Sequence, residues 1–183
     1  MAIRPVRIFG DPVLRQKASP VESFDEPLAQ LVGDMFETMH AYRGVGLAGN
    51  QVGVPQRVLV VELPGPQEGD APLRLALVNP KLSEASGQQV EEEGCLSIPG
   101  IYEDIKRALK VRVRAQDLQG QPLDFVAEGY LARVVQHEVD HLDGVLFLDR
   151  LSPLRRQFLR RTLEAMARGE MPEGYEHPAG GTI

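Results

Sequence analysis

The chain has 183 residues, 43% hydrophobic and 25% charged, which is the size and composition of one globular domain. Its formal net charge of −6 argues against a general affinity for nucleic acid, and its single cysteine excludes an intrachain disulfide framework. The N-terminus lacks the apolar core of a signal peptide, and the longest aliphatic run, 58–61, cannot span a membrane. We therefore predict one cytoplasmic domain over residues 1–183, with a loose tail from about 170 to 183.

An amphipathic helix is predicted from about residue 25 to 42. Pro27 suits its first turn and Gly44 its end. Apolar residues recur at the spacing of one buried helix face, and they are Leu28, Leu31, Val32, Met35, Phe36 and Met39. His40 lies next to this stripe, so we expect it at the surface or at the edge of the core.

The middle of the chain consists of strand-like segments after a Gly-rich loop at 43–56. These segments occupy residues 57–63, 73–79, 88–94, 110–117 and 122–128. In 110–117, two valines alternate with two arginines, the period of a half-exposed strand. A turn at 117–122 indicates a hairpin between the last two segments.

Two further helices complete the pattern. One is predicted at about 129–142, and another at about 152–168 after the N-cap Ser152 and Pro153 at its first position. The order of a helix, several strands, a buried helix and a last helix predicts an α+β fold. In this fold, antiparallel sheets pack around the central helix 129–142.

The central helix contains the pattern H-E-x-x-H, as His137, Glu138 and His141. Histidines at positions i and i+4 lie on one helix face, about one turn apart, which is the arrangement that two imidazoles need to bind one metal ion. The longer metalloprotease signature would place a third histidine at position 147, where this chain has Phe147. The third ligand must therefore come from elsewhere in the chain.

Cys95 is the best candidate for that ligand. A lone cysteine is usually a small buried hydrophobic residue, but three glutamates and a glycine precede this one, and a proline and a glycine follow it. This context indicates a strand that ends in a tight, shaped loop. The other histidines are poorer candidates, because His40 belongs to the amphipathic helix and His177 to the Gly/Pro-rich tail.

One cysteine and two histidines leave the fourth position of a tetrahedral metal to water, which is the pattern of a catalytic site. The metal lowers the pKa of that water toward about 7. Glu138 is placed to act as general base and then as general acid toward a leaving amine, although it could also be a solvated helix charge. Gln51 could donate to a developing oxyanion, and a structural glutamine is an equally good interpretation.

Three segments together resemble the peptide deformylase family. They are the Gly-rich box 44–51 (GVGLAGNQ), the box 93–97 (EGCLS) and the helical box 136–141 (QHEVDH). The resemblance covers roughly residues 6 to 155. The chain departs from it at Gly49, where the family usually has alanine, and we expect a looser loop with activity retained.

The resemblance implies removal of the N-formyl group from the N-terminal formylmethionine of newly made polypeptides, with release of formate. Cys95, His137 and His141 would bind the metal, and water activated by it would attack the formyl carbon. Glu138 would be the acid–base residue. Gln51 and the backbone N–H of Leu96 would stabilise the oxyanion. The implied metal is Fe²⁺, which Zn²⁺, Ni²⁺ or Co²⁺ can replace.

An extended substrate could pair with the backbone of 44–46 and insert its methionine into an apolar pocket near the metal. The residues expected to bind substrate are Val45, Gly46, Glu93, Leu96, Tyr130, Arg133 and Val134. We expect the stem of Arg133 inside this pocket and its charged head at the rim. Glu93 is expected either to pair with Arg107 and brace the Cys95 loop or to be a separate surface charge.

The last helix is basic, with Arg155, Arg156, Arg160 and Arg161 on an otherwise acidic chain. Such a run is usually a solvated face, and the functional alternative is docking on ribosomal RNA. Two other functions stay open for the whole chain. One is an H-E-x-x-H zinc peptidase, and the other is a non-catalytic, metal-stapled domain that binds the ribosome and has four protein ligands.

Overall fold

The computed structural model describes residues 2–65, 67 and 69–175. The helices are α1 (Glu26–Ala41), α2 (Gly129–Leu142) and α3 (Pro153–Ala167), and 3-10 turns occupy Pro12–Arg15, Gly49–Val52 and Phe147–Arg150. The strands are β1 (Gly46–Ala48), β2 (Val58–Leu63), β3 (Leu73–Ser86), β4 (Gln89–Cys95), β5 (Ile98–Arg107), β6 (Lys110–Gln116) and β7 (Pro122–Glu128).

The strands form antiparallel sheets against which α2 packs. The larger sheet has the order β1-β2-β3-β6-β7, and β4 and β5 form a separate hairpin. Apolar residues of α2 join the buried faces of β2, β6 and β7 in one core cluster. The predicted α+β fold, with antiparallel sheets around a central helix and further helices before and after it, is confirmed.

The first helix follows its sequence pattern. The Asp25 side chain caps it by accepting a hydrogen bond from the backbone N–H of Leu28. All six residues of the predicted apolar stripe are buried, and they pack in a second core cluster with residues of β1 and β2. His40 lies at the edge as expected, with its side chain 47% exposed and paired with Glu62.

Other parts of the pattern were predicted incompletely. The segment 43–56 contains β1 and a 3-10 turn as well as loop, and β3 continues to Ser86, well beyond residue 79. The strand β5 was missed altogether. Two of its inward positions hold charged residues, Glu103 and Arg107, both buried, so the alternation of apolar and polar residues is hidden.

The β4–β5 hairpin, the N-terminal segment and α3 enclose a third core cluster. The helix α3 begins as predicted, with the Ser152 side chain accepting from the backbone N–H of Arg155. The structure describes the predicted loose tail, about 170–183, only as far as Tyr175, so residues 176–183, including His177, lie outside the described residues. None of the helices among the described residues combines the length and apolar character that a membrane span requires.

Candidate metal centre and active site

Three ligand atoms converge where the β4–β5 hairpin meets α2. The Sγ of Cys95 lies 3.2 Å from the Nε2 of His141, which lies 3.2 Å from the Nε2 of His137. The three atoms are all within 4.8 Å of one another. The structure therefore brings the predicted thiol together with the two predicted imidazoles, although they come from segments more than forty residues apart.

The local sequence explains how these side chains are presented. The helical spacing of His137 and His141 puts both rings on one face of α2, which is buried by its apolar neighbours. Cys95 is the last residue of β4, where the hairpin turns. Phe147, which occupies the position of a third histidine in the longer metalloprotease signature, is buried instead, with its ring stacked on His137 at a centroid distance of 6.0 Å.

A buried carboxylate orients one of these rings. Glu93 lies 3.0 Å from the Nδ1 of His137 and accepts two hydrogen bonds from Arg107, at 2.7 and 2.9 Å. Burial alone would raise the pKa of Glu93, but Arg107 and His137 outweigh it and lower this pKa to about 2. Glu93 is therefore ionised and holds the His137 ring with its Nε2 toward the ligand cluster. The predicted pair of Glu93 with Arg107 is confirmed.

The ionic network continues along α2 to Asp140. The second terminal nitrogen of Arg107, Nη1, lies 2.5 Å from Asp140. Asp140 in turn accepts two hydrogen bonds from Arg150, at 2.7 and 2.6 Å. These contacts link α2, the helix that carries both histidines, to β5 and to the 3-10 turn that follows α2.

Glu138 stands beside this cluster. It is 4% exposed, and its Oε2 has no hydrogen-bond partner among the described residues. Burial raises the pKa of Glu138 to about 7. A Cβ built on Gly46 would lie 2.5 Å from Oε1 of Glu138, so only glycine at position 46 leaves space for this carboxylate. A buried carboxylate with such a pKa can both take up and release a proton near neutral pH.

Gln51 faces the cluster from the 3-10 turn after β1. Its Oε1 accepts from the backbone N–H of Ala48 at 2.9 Å, which fixes the direction of the amide. Its Nε2 then lies 3.2 Å from Ser97 Oγ and 3.6 Å from Cys95 Sγ. The side chain therefore presents a donor group next to the thiol.

These groups open onto a cavity of about 970 Å³. The predicted residues that line it are Val45, Gly46, Gln51, Glu93, Cys95, Leu96, Tyr130, Arg133, Val134, His137 and Glu138. His141 is not among the lining residues and is 1% exposed.

The prediction for the head of Arg133 was wrong. This side chain is only 3% exposed, and its Nη1 donates to Glu93 at 2.8 Å and to the carbonyl of Ile105 at 2.9 Å. The buried carboxylate draws the guanidinium inward, because an ionised acid in the interior needs cationic partners.

The donor set fits a metal ion. A thiol and two imidazoles are the ligands that zinc and the late first-row metals share, and among the described residues the group contains three side chains. Burial, followed by the charges of His137 and Arg107, holds the pKa of His141 well below its usual value, so this ring is neutral. Three ligands next to an open cavity are the arrangement of a catalytic rather than a structural metal site.

Comparison with known proteins identifies the family. The model of the polypeptide deformylase family matches residues 3–157. The chain belongs to the polypeptide deformylase family. A peptide deformylase from Alkalilimnicola ehrlichii is 49% identical over 168 residues, which cover 92% of this chain and 93% of the relative.

Solved structures of deformylases share the fold. A crystal structure of a peptide deformylase from Legionella pneumophila has a TM-score of 0.82 and 46% identity, and covers 91% of this chain and 96% of that one. A peptide deformylase from Ehrlichia chaffeensis in complex with actinonin has a TM-score of 0.84 and 38% identity, with 92% and 99% coverage. The deformylase family is metal-dependent, in agreement with the ligand cluster found here.

Some residues of the site were not found from the sequence. No role at the metal site was predicted for Asp140, which lies between the two histidines, or for Arg150. Ser97 follows the thiol loop and contacts Gln51. The helical period was the signal that could have found Asp140. A residue three positions after His137 lies on nearly the same face of the helix, beside the metal-binding side chains.

Proposed function

We propose that this chain removes the N-formyl group from the N-terminal formylmethionine of nascent polypeptides by metal-dependent hydrolysis in the cytoplasm. The observation that carries the proposal is the convergence of Cys95, His137 and His141 beside the buried carboxylate of Glu138, whose Oε2 has no hydrogen-bond partner among the described residues. The products are formate and a free α-amine. Membership of the deformylase family supports this substrate class.

Cys95, His137 and His141 would hold the metal ion, and we propose Fe²⁺ as the natural one, replaceable by Zn²⁺, Ni²⁺ or Co²⁺. A thiolate with two imidazoles suits each of these ions, so the ligand set alone does not rank them. When bound, the metal supplies a Lewis acid that acidifies water and polarises the formyl carbonyl. Glu93 acts through His137 as a positioning residue.

Glu138 is assigned the proton transfers. Its carboxylate accepts the proton that leaves the attacking water and then delivers it to the amine nitrogen as the C–N bond breaks. The pKa of about 7 suits both steps, because it lies near the operating pH. The close approach of Gly46 holds the carboxylate at the inner end of the cavity.

Gln51 and the backbone N–H of Leu96 are assigned the stabilisation of the developing negative charge on the formyl oxygen. The contact of Gln51 Oε1 with the Ala48 N–H supports this role, because it turns the Nε2 donor toward Cys95. Gln51 therefore presents its Nε2 donor in a fixed direction beside Cys95 and Ser97.

The substrate is proposed to bind as an added strand. The strand order places β1 at the edge of the larger sheet, and Gly44, Val45 and Gly46 line the cavity. An edge strand has backbone groups free to pair with an extended peptide. Val45, Tyr130 and Val134 would surround the methionine side chain, with the stem of Arg133, while Glu93 and the Arg133 head close its inner wall.

We also propose that α3 contacts the ribosome. Several of its arginines are engaged within the chain, since Arg155 pairs with Glu103 and Arg160 with Glu164. Arg156 and Arg161 are exposed and make no salt bridge among the described residues. These two side chains are the best candidates for contacts with RNA phosphates.

The proposed activity is tested by measuring formate release from formyl-Met-Ala by the metal-loaded chain. We expect turnover that is lost in Cys95→Ala and in Glu138→Gln. Casein cleavage without formate release would favour the zinc peptidase instead. Full formate release by both Cys95→Ala and Glu138→Gln would overturn the proposed site.

A further inference from the structure

Part of the cavity wall comes from the last described residues of the chain. After α3, the chain returns to the cavity mouth, where Gly174 and Tyr175 line the same space as Cys95 and Glu138. Tyr42, at the end of α1, lines it as well. The substrate site is therefore partly built by the C-terminal segment, which we define as residues 170–175.

The C-terminal segment is packed against the body of the protein. A Cβ built on Gly100 would lie 2.9 Å from the Cγ of Pro172, so glycine at this position lets Pro172 lie directly on the beginning of β5. The backbone N–H of Tyr175 donates to the carbonyl of Pro172 at 3.1 Å and closes a turn. Met171 and Tyr175 also pack against the third core cluster. These contacts hold the Tyr175 ring at the cavity.

The hydroxyl of Tyr175 is buried and has no hydrogen-bond partner within the described part of the chain. Burial raises the pKa of Tyr175, and the nearby Tyr42 adds to this effect, so the phenol is neutral and can donate. A buried hydroxyl without a partner is unfavourable, and a carbonyl group of a bound ligand would satisfy it.

The spacing along the chain relates Tyr42 to a position along the substrate. Gly46 contacts Glu138 and marks the reacting end of the cavity. Tyr42 lies four residues earlier in the chain, so its Cα is at most about 14 Å from that of Gly46. A peptide paired with residues 44–46 advances about 3.3 Å per residue. Such a peptide spans that distance within about four residues, and Tyr175 lines the cavity together with Tyr42.

We propose that Tyr175 is a specificity-determining residue that donates a hydrogen bond to a backbone carbonyl of the third or fourth residue of the peptide. This inference rests on the proposed deformylase function. Since the interaction involves a backbone group, it favours longer peptides over formyl-dipeptides regardless of their sequence.

The test compares kcat/KM for formyl-Met-Ala and formyl-Met-Ala-Ala-Ala. Tyr175→Phe, which keeps the ring, is expected to lower kcat/KM for the tetrapeptide about 2- to 10-fold, the range for one hydrogen bond, and to leave the dipeptide unchanged. Tyr175→Ala should lower the tetrapeptide value further. Glu173→Ala is the matched control, because this residue is exposed, belongs to the same segment and does not line the cavity.

Each outcome separates the two proposals. An unchanged tetrapeptide value in Tyr175→Phe, or an equal loss for both substrates, would overturn the role of Tyr175 while leaving deformylation intact. The melting temperature of each variant shows whether an equal loss reflects damage to the fold. A wild-type chain that releases formate from neither peptide would instead overturn the proposed function, and the inference with it.

Discussion

Glu93 and His137 are joined by a contact of 3.0 Å between a carboxylate oxygen and Nδ1, inside a network that also contains Arg107 and Arg133. The contact leaves Nε2 of His137 as the nitrogen available to a metal. It also explains why the guanidinium groups of both arginines are buried, since Glu93 is their shared anionic partner.

Glu93→Gln is expected to weaken both the metal site and the fold. The amide cannot balance two buried guanidinium groups, so the free energy of unfolding should fall by about 3 kcal/mol. Metal affinity should fall about 10- to 100-fold, because the His137 ring loses its orienting acceptor. Urea unfolding and chelator competition measure these effects. Glu91→Gln, an exposed change two residues away, should alter neither, and an unaltered Glu93→Gln would remove the positioning role.

Glu138→Gln is expected to separate catalysis from metal binding. The side chain keeps its shape and the metal ligands are untouched, but the amide cannot shuttle a proton. Formate release should fall at least about 100-fold at unchanged metal content. Glu128→Gln, at the exposed beginning of the same helix, serves as the control. Near-normal turnover in Glu138→Gln would show that another group moves the proton.

Gly49→Ala, the change toward the motif that the resemblance implies, should destabilise this chain. A Cβ built on Gly49 would lie 2.6 Å from the carbonyl oxygen of Val54 and 2.7 Å from that of Gln56. Both are backbone atoms, so the segment 54–56 must move, and the free energy of unfolding should fall by about 1–3 kcal/mol. Thermal unfolding measures the effect. An unchanged melting temperature would mean that this segment shifts without cost.

Charge reversal on α3 should weaken ribosome binding. We expect Arg156→Glu/Arg161→Glu to reduce co-sedimentation with ribosomes at low salt while leaving formate release from formyl-Met-Ala unchanged. The control is Lys17→Glu/Lys81→Glu, which makes the same change in net charge at exposed positions elsewhere. Equal binding by the two double variants would show that α3 is only a solvated helix.

Local periodicity predicted the parts of the structure that depend on nearby residues. The apolar stripe of α1 and the histidine pair of α2 follow from the helical repeat. Cys95 was added as their partner from its turn-rich context and from the matching motif box. The strand β5 was missed because the buried Glu103 and Arg107 interrupt its apolar face. Their burial depends on partners in α3, β4 and α2, which are distant in the sequence.

The buried head of Arg133 and the position of Tyr175 share this origin. Arg133 is drawn inward by Glu93, 40 residues earlier in the chain. Tyr175 reaches the cavity because Gly100 leaves space for Pro172. Neither contact leaves a periodic signal in the sequence, because each depends on how separate elements pack.

Metal content and formate release, measured together on anaerobically purified wild-type chain and on Cys95→Ala, test the central claim most directly. We predict one metal ion per wild-type chain, with iron as the natural ion, and formate release from formyl-Met-Ala that disappears together with the metal in Cys95→Ala. Full turnover by Cys95→Ala, or turnover by metal-free wild-type chain, would contradict the account.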